Sequence, residues 1–369
     1  MEILDSLVIG AGQAGLSTSY HLKRRGISHV VLDANQHPGG AWQHRWKSLT
    51  MHDVHGIASL PDLDIPDAAD SEPAREFVPS YFGDYEQRFA LSVLRPVRAS
   101  RVESEAELLR VTADTGSWLT RTIVNATGTW DKPFIPFYPG VGEFGGRQLH
   151  TVDYSSPEDF AGKRVLVVGA GQSAIQLLGE IAPLAAGTVW TTRRPPIWRT
   201  EPFDRNIGRA AVALVEERVR QGLPPQSVVS VTGSILREQE RAAEALGAYE
   251  RRPMFDRLEA DGARWADGSF EPVEVIIWAT GFRPVISHLA PLHLRGPLGG
   301  IQLDGTTAVV DPRVQLVGYG PSASTIGANR GGRAAAAAVK RFLADGGGSA
   351  SMRSRQVDAE APPTLVSGR

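Results

Sequence analysis

Apolar residues in this chain fall in short runs, and several of them stop on glycine. Residues 6–9 (SLVI) run directly into Gly10-Ala11-Gly12-Gln13-Ala14-Gly15, then into helix-compatible residues up to 25, with Gly26 placed as a C-cap. Residues 29–32 predict the next strand, ending on Asp33. The order strand, turn, helix, strand returns further on: a strand over 163–168, the loop Gly169-Ala170-Gly171-Gln172-Ser173-Ala174, a helix over 173–181 stopped by Pro183, and a strand over 188–192. Between the two units, 61–79 is rich in Asp, Ala and Pro and reads as a surface excursion. Residues 81–91 read as a helix with Tyr81, Tyr85, Arg88 and Phe89 on one face, and 97–102, 108–111 and 118–120 alternate as a small antiparallel meander. Residues 123–126 return to a parallel strand ending at Thr127-Gly128, and a second strand, 275–278, ends at Ala279-Thr280-Gly281. Helices are expected over 205–221 and 234–246, a hairpin within 254–270, a last strand over 314–317 and a final helix opened by Gly327; from 346 the composition is that of a disordered tail.

The two loops carry the first chemical inference. Gly10, Gly12 and Gly15 complete GxGxxG, and Gly169, Gly171 and Ala174 complete its GxGxxA variant, with Ser173 inside the loop. In such a unit the first Gly permits a tight turn, the second lets a pyrophosphate approach the backbone, and the helix N-terminus supplies N–H donors. Asp33 stands at the distance where a carboxylate takes ribose hydroxyls. The second unit has Arg193-Arg194 where an acid would stand, and guanidinium forks hold the 2′-phosphate that an acid would repel, so NADPH is expected over NADH. Which arginine is nearer stays open.

Composition removes several alternatives. The 369 residues, 42% hydrophobic and 22% charged, suffice for two cores, and a net charge of -2 provides no field for nucleic acid. No apolar run approaches the roughly 20 residues needed to span a bilayer, and Met1-Glu2 lead directly into a strand, so a cytoplasmic protein without membrane or nucleic-acid partner is expected. The cysteine count is zero, which excludes electron transfer to a Cys-x-x-Cys pair. His44, His52 and His55 cluster in sequence but lack the carboxylate and helical spacing of a metal site.

The stretch between the units, Phe144, Gly146 and His150 with Tyr154 four residues on, resembles the FxGxxxHxxxW/P sequence of class B flavin-containing and Baeyer–Villiger monooxygenases, with Tyr in place of Trp or Pro. Gly39-Gly40-Ala41-Trp42 resembles their GGxW segment along the flavin, and the two strand ends resemble their ATG segments. The resemblance covers roughly residues 1–345. It implies an α/β fold of two Rossmann-like dinucleotide-binding domains, with FAD held by 1–155 and 285–345 and an NADPH domain, 156–284, inserted between them. It also implies FAD contacts from Gly40 and Trp42, catalytic roles for His52 and His150, and a mechanism in which NADPH reduces FAD and oxygen adds as a C4a-(hydro)peroxide that a soft nucleophile attacks. The expected partners are molecular oxygen and a small thioether or amine, with a homodimer admitted. An NADPH-dependent flavin reductase feeding a carrier and a non-catalytic redox sensor are the alternatives.

Overall fold

The computed structural model describes residues 2–54, 57–199, 205–226, 233–234 and 236–346. Its first sheet is built on β1 (Ile3–Ile9), with β2 (His29–Leu32), β3 (Val93–Leu94), β4 (Ala99–Glu105), β5 (Leu108–Ala113) and β6 (Gly116–Asn125). β1 lies between β2 and β6, parallel to both, so that Leu7 faces Val30 on one side and Ile123 on the other. Leu7, Val8 and Ile123 are fully buried, as strands covered on both faces must be. The expected third meander strand and the expected parallel strand are one ten-residue element: β6 pairs antiparallel with β5 over Gly116 to Thr120 and parallel with β1 over Leu119 to Asn125.

α1 (Gln13–Lys23) follows the first glycine loop, and α2 (Ala74–Arg88) begins within the stretch read as excursion, with Pro79 inside it. Tertiary packing overrides the proline there, because Pro79 lies against the backbone of Gly39, where a side chain would approach its ring to 2.7 Å. Tyr81 and Tyr85 of α2 fasten the remaining excursion, through hydrogen bonds to Leu60 N and Pro61 O.

The second sheet contains β7 (Arg147–His150), β8 (Arg164–Val168), β9 (Gly187–Thr191) and β10 (Arg251–Arg252), followed by the three-stranded β11 (Arg257–Glu259), β12 (Gly262–Arg264) and β13 (Phe270–Pro272), and then β14 (Val275–Trp278). Its order is β10-β9-β8-β14-β7, parallel throughout. Within the stretch expected in the first domain, residues 147–150 pair with β14, and Phe144 packs in the second core with Leu166, Phe255 and Trp278. α3 (Gln172–Ile181) follows the second glycine loop, and α4 (Arg205–Arg220) and α5 (Glu238–Ala245) follow it. The chain then returns through β15 (Leu303–Asp304) and β16 (Thr307–Ala308) to β17 (Val314–Leu316), parallel beside β6. α6 (Thr325–Ala344) closes the fold against α1, where a side chain on Gly332 would meet the Thr18 backbone nitrogen at 2.8 Å. The expected tail lies outside the described residues from 347 onward.

Candidate active site

Both glycine loops stand at the carboxyl ends of their parallel strands, where open α/β sheets take ligands. Gly10 adopts φ 100°, and a side chain there would come 2.6 Å from Ala126 O; Gly169 adopts φ 135° and would run into the carbonyl of Ala279 in the same way. Each loop is thereby pressed against its own ATG strand end, with Gly10 N donating to Leu32 O and Gly169 N to Thr191 O. The second glycines behave differently. A side chain on Gly171 would meet nothing within 4 Å, and one on Gly12 only Gly40 Cα at 4.0 Å.

The helices that follow fit an anionic ligand. Neither α1 nor α3 has a side-chain N-cap or an acid in its first turn, so their leading N–H groups have no side-chain acceptor, the arrangement that binds pyrophosphate. Gln13 and Gln172, the first residue of each helix, each keep a buried polar atom without a partner among the described residues, Oε1 and Nε2 respectively. α6 differs: it starts two residues before Gly327, and Ser324 caps it by accepting from Gly327 N, so its end is already partly satisfied.

The sequence-predicted residues divide by position. Asp33 is buried at the end of β2, its carboxylate accepting from Arg95 Nε at 2.9 Å and Asn35 Nδ2 at 3.1 Å, while Arg95 also forms a bidentate pair with Glu86. Ser173 sits in the first turn of α3. Arg193 and Arg194 are exposed just past β9, and neither guanidinium has a partner among the described residues. Arg251, which carries no sequence signal, approaches the same turn and donates to Thr192 Oγ1 at 2.6 Å and Thr192 O at 2.9 Å.

Gly40 adopts φ 51° and crosses the first loop so closely that a side chain would stand 2.8 Å from Gly12 Cα. Trp42 follows in the same 3₁₀ turn. His52 is exposed, its backbone N donating to Asp70 O at 2.9 Å, and its ring has no partner among the described residues. His55 lies outside the described residues, and among those described no group of His, Asp or Glu could hold a metal.

His150 is placed as a structural donor. It is buried at the end of β7, Nε2 donating to Gly281 O at 3.0 Å while Nδ1 accepts from Val152 N at 3.3 Å, so both ring nitrogens are engaged. Burial holds its pKa below the ordinary histidine value. Gly281 O also accepts from Phe134 N, and Arg283 N donates to Lys132 O, so the two inter-domain links run alongside each other with His150 fastened to them. Beside this junction Trp130 stacks on Phe282 at 5.4 Å, and Phe282 meets the His150 ring edge-on at 5.0 Å.

Sequence reasoning missed Glu180. This α3 residue accepts from Trp46 Nε1 at 3.0 Å, Ser48 Oγ at 2.6 Å and Tyr154 OH at 2.8 Å, joining the second domain's helix to the segment after Gly40. One helical turn earlier, Gln176 Nε2 donates to Asp53 O at 2.9 Å.

The family model for pyridine nucleotide-disulphide oxidoreductases matches residues 7–231. A flavin-containing monooxygenase from Stenotrophomonas maltophilia superposes with a TM-score of 0.81 at 38% identity, over 93% of this chain and 100% of that one. The chain belongs to the flavin-containing monooxygenase family. As a member of it, the protein is a flavin-dependent oxidoreductase. An indole-3-pyruvate monooxygenase of Oryza sativa subsp. japonica is 28% identical over 75% of this chain and 76% of its own length. The OTEMO complex with FAD and NADP, 16% identical with a TM-score of 0.63 over 93% of this chain and 86% of that one, shares the fold. Disulfide exchange, the chemistry in the matched model's description, is closed to a flavin-containing monooxygenase with no cysteine. Among the described residues no helix is long and apolar enough to cross a membrane.

Proposed function

We propose that this flavin-containing monooxygenase uses NADPH and molecular oxygen to oxygenate small soft nucleophiles, thioethers or amines, with FAD at the first glycine loop and NADPH at the second. The observation that carries the reading is the pair of uncapped helix N-termini behind Gly12 and Gly171, the first followed by a carboxylate and the second by two arginines with no partner among the described residues. When bound and reduced, the flavin supplies the oxygen activation.

The chain's own residues would position and exclude. Gly10, Gly12 and Gly15 with the α1 N-terminus hold the FAD pyrophosphate, and Asp33, steadied by Arg95, takes ribose. Gly40 and Trp42 line the approach to the flavin. Gly169, Gly171 and Ser173 hold the second pyrophosphate, with Arg193 or Arg194 on the 2′-phosphate. His52, free to donate, is the candidate hydrogen-bond partner for nicotinamide or substrate. His150 acts as a positioning residue, because its nitrogens are already committed to Val152 N and Gly281 O. The absence of cysteine and the FxGxxxH stretch favour oxygenation over delivery of electrons to a disulfide.

The test is product analysis under single turnover. NADPH-reduced protein mixed with oxygen and a thioether should give sulfoxide in proportion to flavin. Hydrogen peroxide alone, with rapid reduction of an added electron acceptor, identifies a reductase instead.

A further inference from the structure

Arg45 is a cation with no anion beside it among the described residues. It follows the 3₁₀ turn of Gly40 to His44, and its guanidinium lies between two indoles, with the central carbon 5.3 Å from the Trp42 ring and 4.8 Å from the Trp130 ring. Nε is sealed from solvent without a hydrogen-bond partner, and no side chain or carbonyl among the described residues accepts from the terminal nitrogens. Burial alone draws the group down to about 10, with no carboxylate acting on it, so it stays charged at neutral pH. Removing a cation from water costs more than two indole faces return, so a ligand that brought a counter-charge to this group would be held by it.

Its location narrows the ligand. The turn that carries Arg45 begins at Gly40, which lies on Gly12 of the first loop. Trp130, its other wall, leaves the first ATG strand end and stacks on Phe282, just past the second. The guanidinium therefore stands between the pyrophosphate loop of the first domain and the aromatic column at the inter-domain junction.

We infer that Arg45, held between Trp42 and Trp130, is an anion-binding residue of the active-site cleft, taking an oxyanion as a forked pair. Two sources supply that chemistry: the FAD pyrophosphate, or the carboxylate of an acidic substrate. The second source would confine the soft nucleophiles of the proposed function to those bearing an acid group, and in that respect the inference rests on it.

The experiment compares wild type with Arg45→Met, which keeps the stem and removes the charge, and Arg45→Lys, which keeps the charge and loses the fork. Arg45→Gln replaces the methionine variant if that one does not fold. FAD release from holoenzyme, measured by flavin fluorescence after ultrafiltration, reads the pyrophosphate. Perturbation of the bound-flavin spectrum by phenylthioacetate and by its methyl ester reads the carboxylate. A tenfold or larger weakening of FAD in Arg45→Met, with Arg45→Lys between it and wild type, assigns the pyrophosphate. Unchanged FAD affinity with a tenfold loss of the preference for acid over ester assigns the substrate carboxylate. Wild-type FAD affinity in the neutral variant, with no preference for acid over ester in any form, overturns the inference. Both readouts are equilibrium binding, so a protein that forms no sulfoxide defeats the proposed function without touching this result.

Discussion

Tyr154 OH donates to Glu180 Oε2 at 2.8 Å, across the joint between the fingerprint stretch and the helix of the second glycine loop. The tyrosine stands where the family's sequence carries Trp or Pro, and its hydroxyl gives that departure a purpose. Burial, with the Glu180 charge beside it, raises the phenol well above its ordinary pKa, so it remains a donor at any working pH. Trp46 Nε1 and Ser48 Oγ reach the same carboxylate from the segment after Gly40, so Tyr154, following β7, holds in place the acceptor on which that clamp closes. Tyr154→Phe removes one charge-assisted bond and leaves the carboxylate two donors, so a loss of about 1–2 kcal/mol is expected. Glu180→Ala strands three donors and should cost about 3 kcal/mol. Urea midpoints of the two variants check the order.

The second glycines separate binding from folding. A side chain at Gly171, where φ is -81°, meets nothing within 4 Å, so Gly171→Val should unfold within about 0.5 kcal/mol of wild type while the KM for NADPH rises tenfold or more. Gly169→Val, at φ 135° and against the Ala279 carbonyl, should lose about 3 kcal/mol of stability instead. Thermal melts beside steady-state kinetics distinguish a ligand cleft from a packing contact.

Arg193 and Arg194 set cofactor choice in the proposed function. Replacing the one that meets the 2′-phosphate removes a charged hydrogen bond of roughly 1.5–3 kcal/mol, raising the KM for NADPH about tenfold or more and leaving that for NADH nearly unchanged. Equal effects on both cofactors would show that neither arginine reaches the phosphate.

His288 supplies a pH dependence of stability. It is buried, shares a 2.7 Å hydrogen bond with Asn125 Oδ1, and burial lowers its pKa from 6.5 to about 4. The unfolded chain therefore binds a proton more readily than the native one, and stability is full above about pH 7 and falls as the pH drops from 6.5 toward 4. At pH 5 the loss from this group is about 2 kcal/mol. His288→Gln should flatten that part of the curve, measured as urea midpoints at pH 7.5 and pH 5.

If His150 positions rather than transfers a proton, His150→Asn should lower both stability and turnover yet leave the pH–rate profile of the remaining activity unmoved. Disappearance of a limb of that profile would restore the histidine as an acid or base.

The sequence alone determined the two strand, loop, helix, strand units, because their signals are local. Gly10 and Gly169 answer to backbone angles that L side chains rarely adopt, and residues 7–9 and 165–168 are buried on both faces and so read as unbroken apolar runs. The resemblance of Phe144, Gly146 and His150 to the family stretch was equally legible, but not what these residues do. Phe144 belongs to the second core, and His150 joins β7 to the links between domains. Their partners, Trp278 and Gly281, are more than 100 residues away, and no periodicity encodes such pairs. Periodicity is equally silent on Trp46 with Glu180, Asn125 with His288, and Arg45 with Trp130. Hydrophobic period fixes which face of an element is buried, whereas the side chain it meets there depends on how two separately formed sheets dock. Strand pairing and packing inside the first domain gave the unbroken β6 and the early start of α2 over Pro79, and the guanidinium of Arg45 came to the junction with no anion beside it among the described residues.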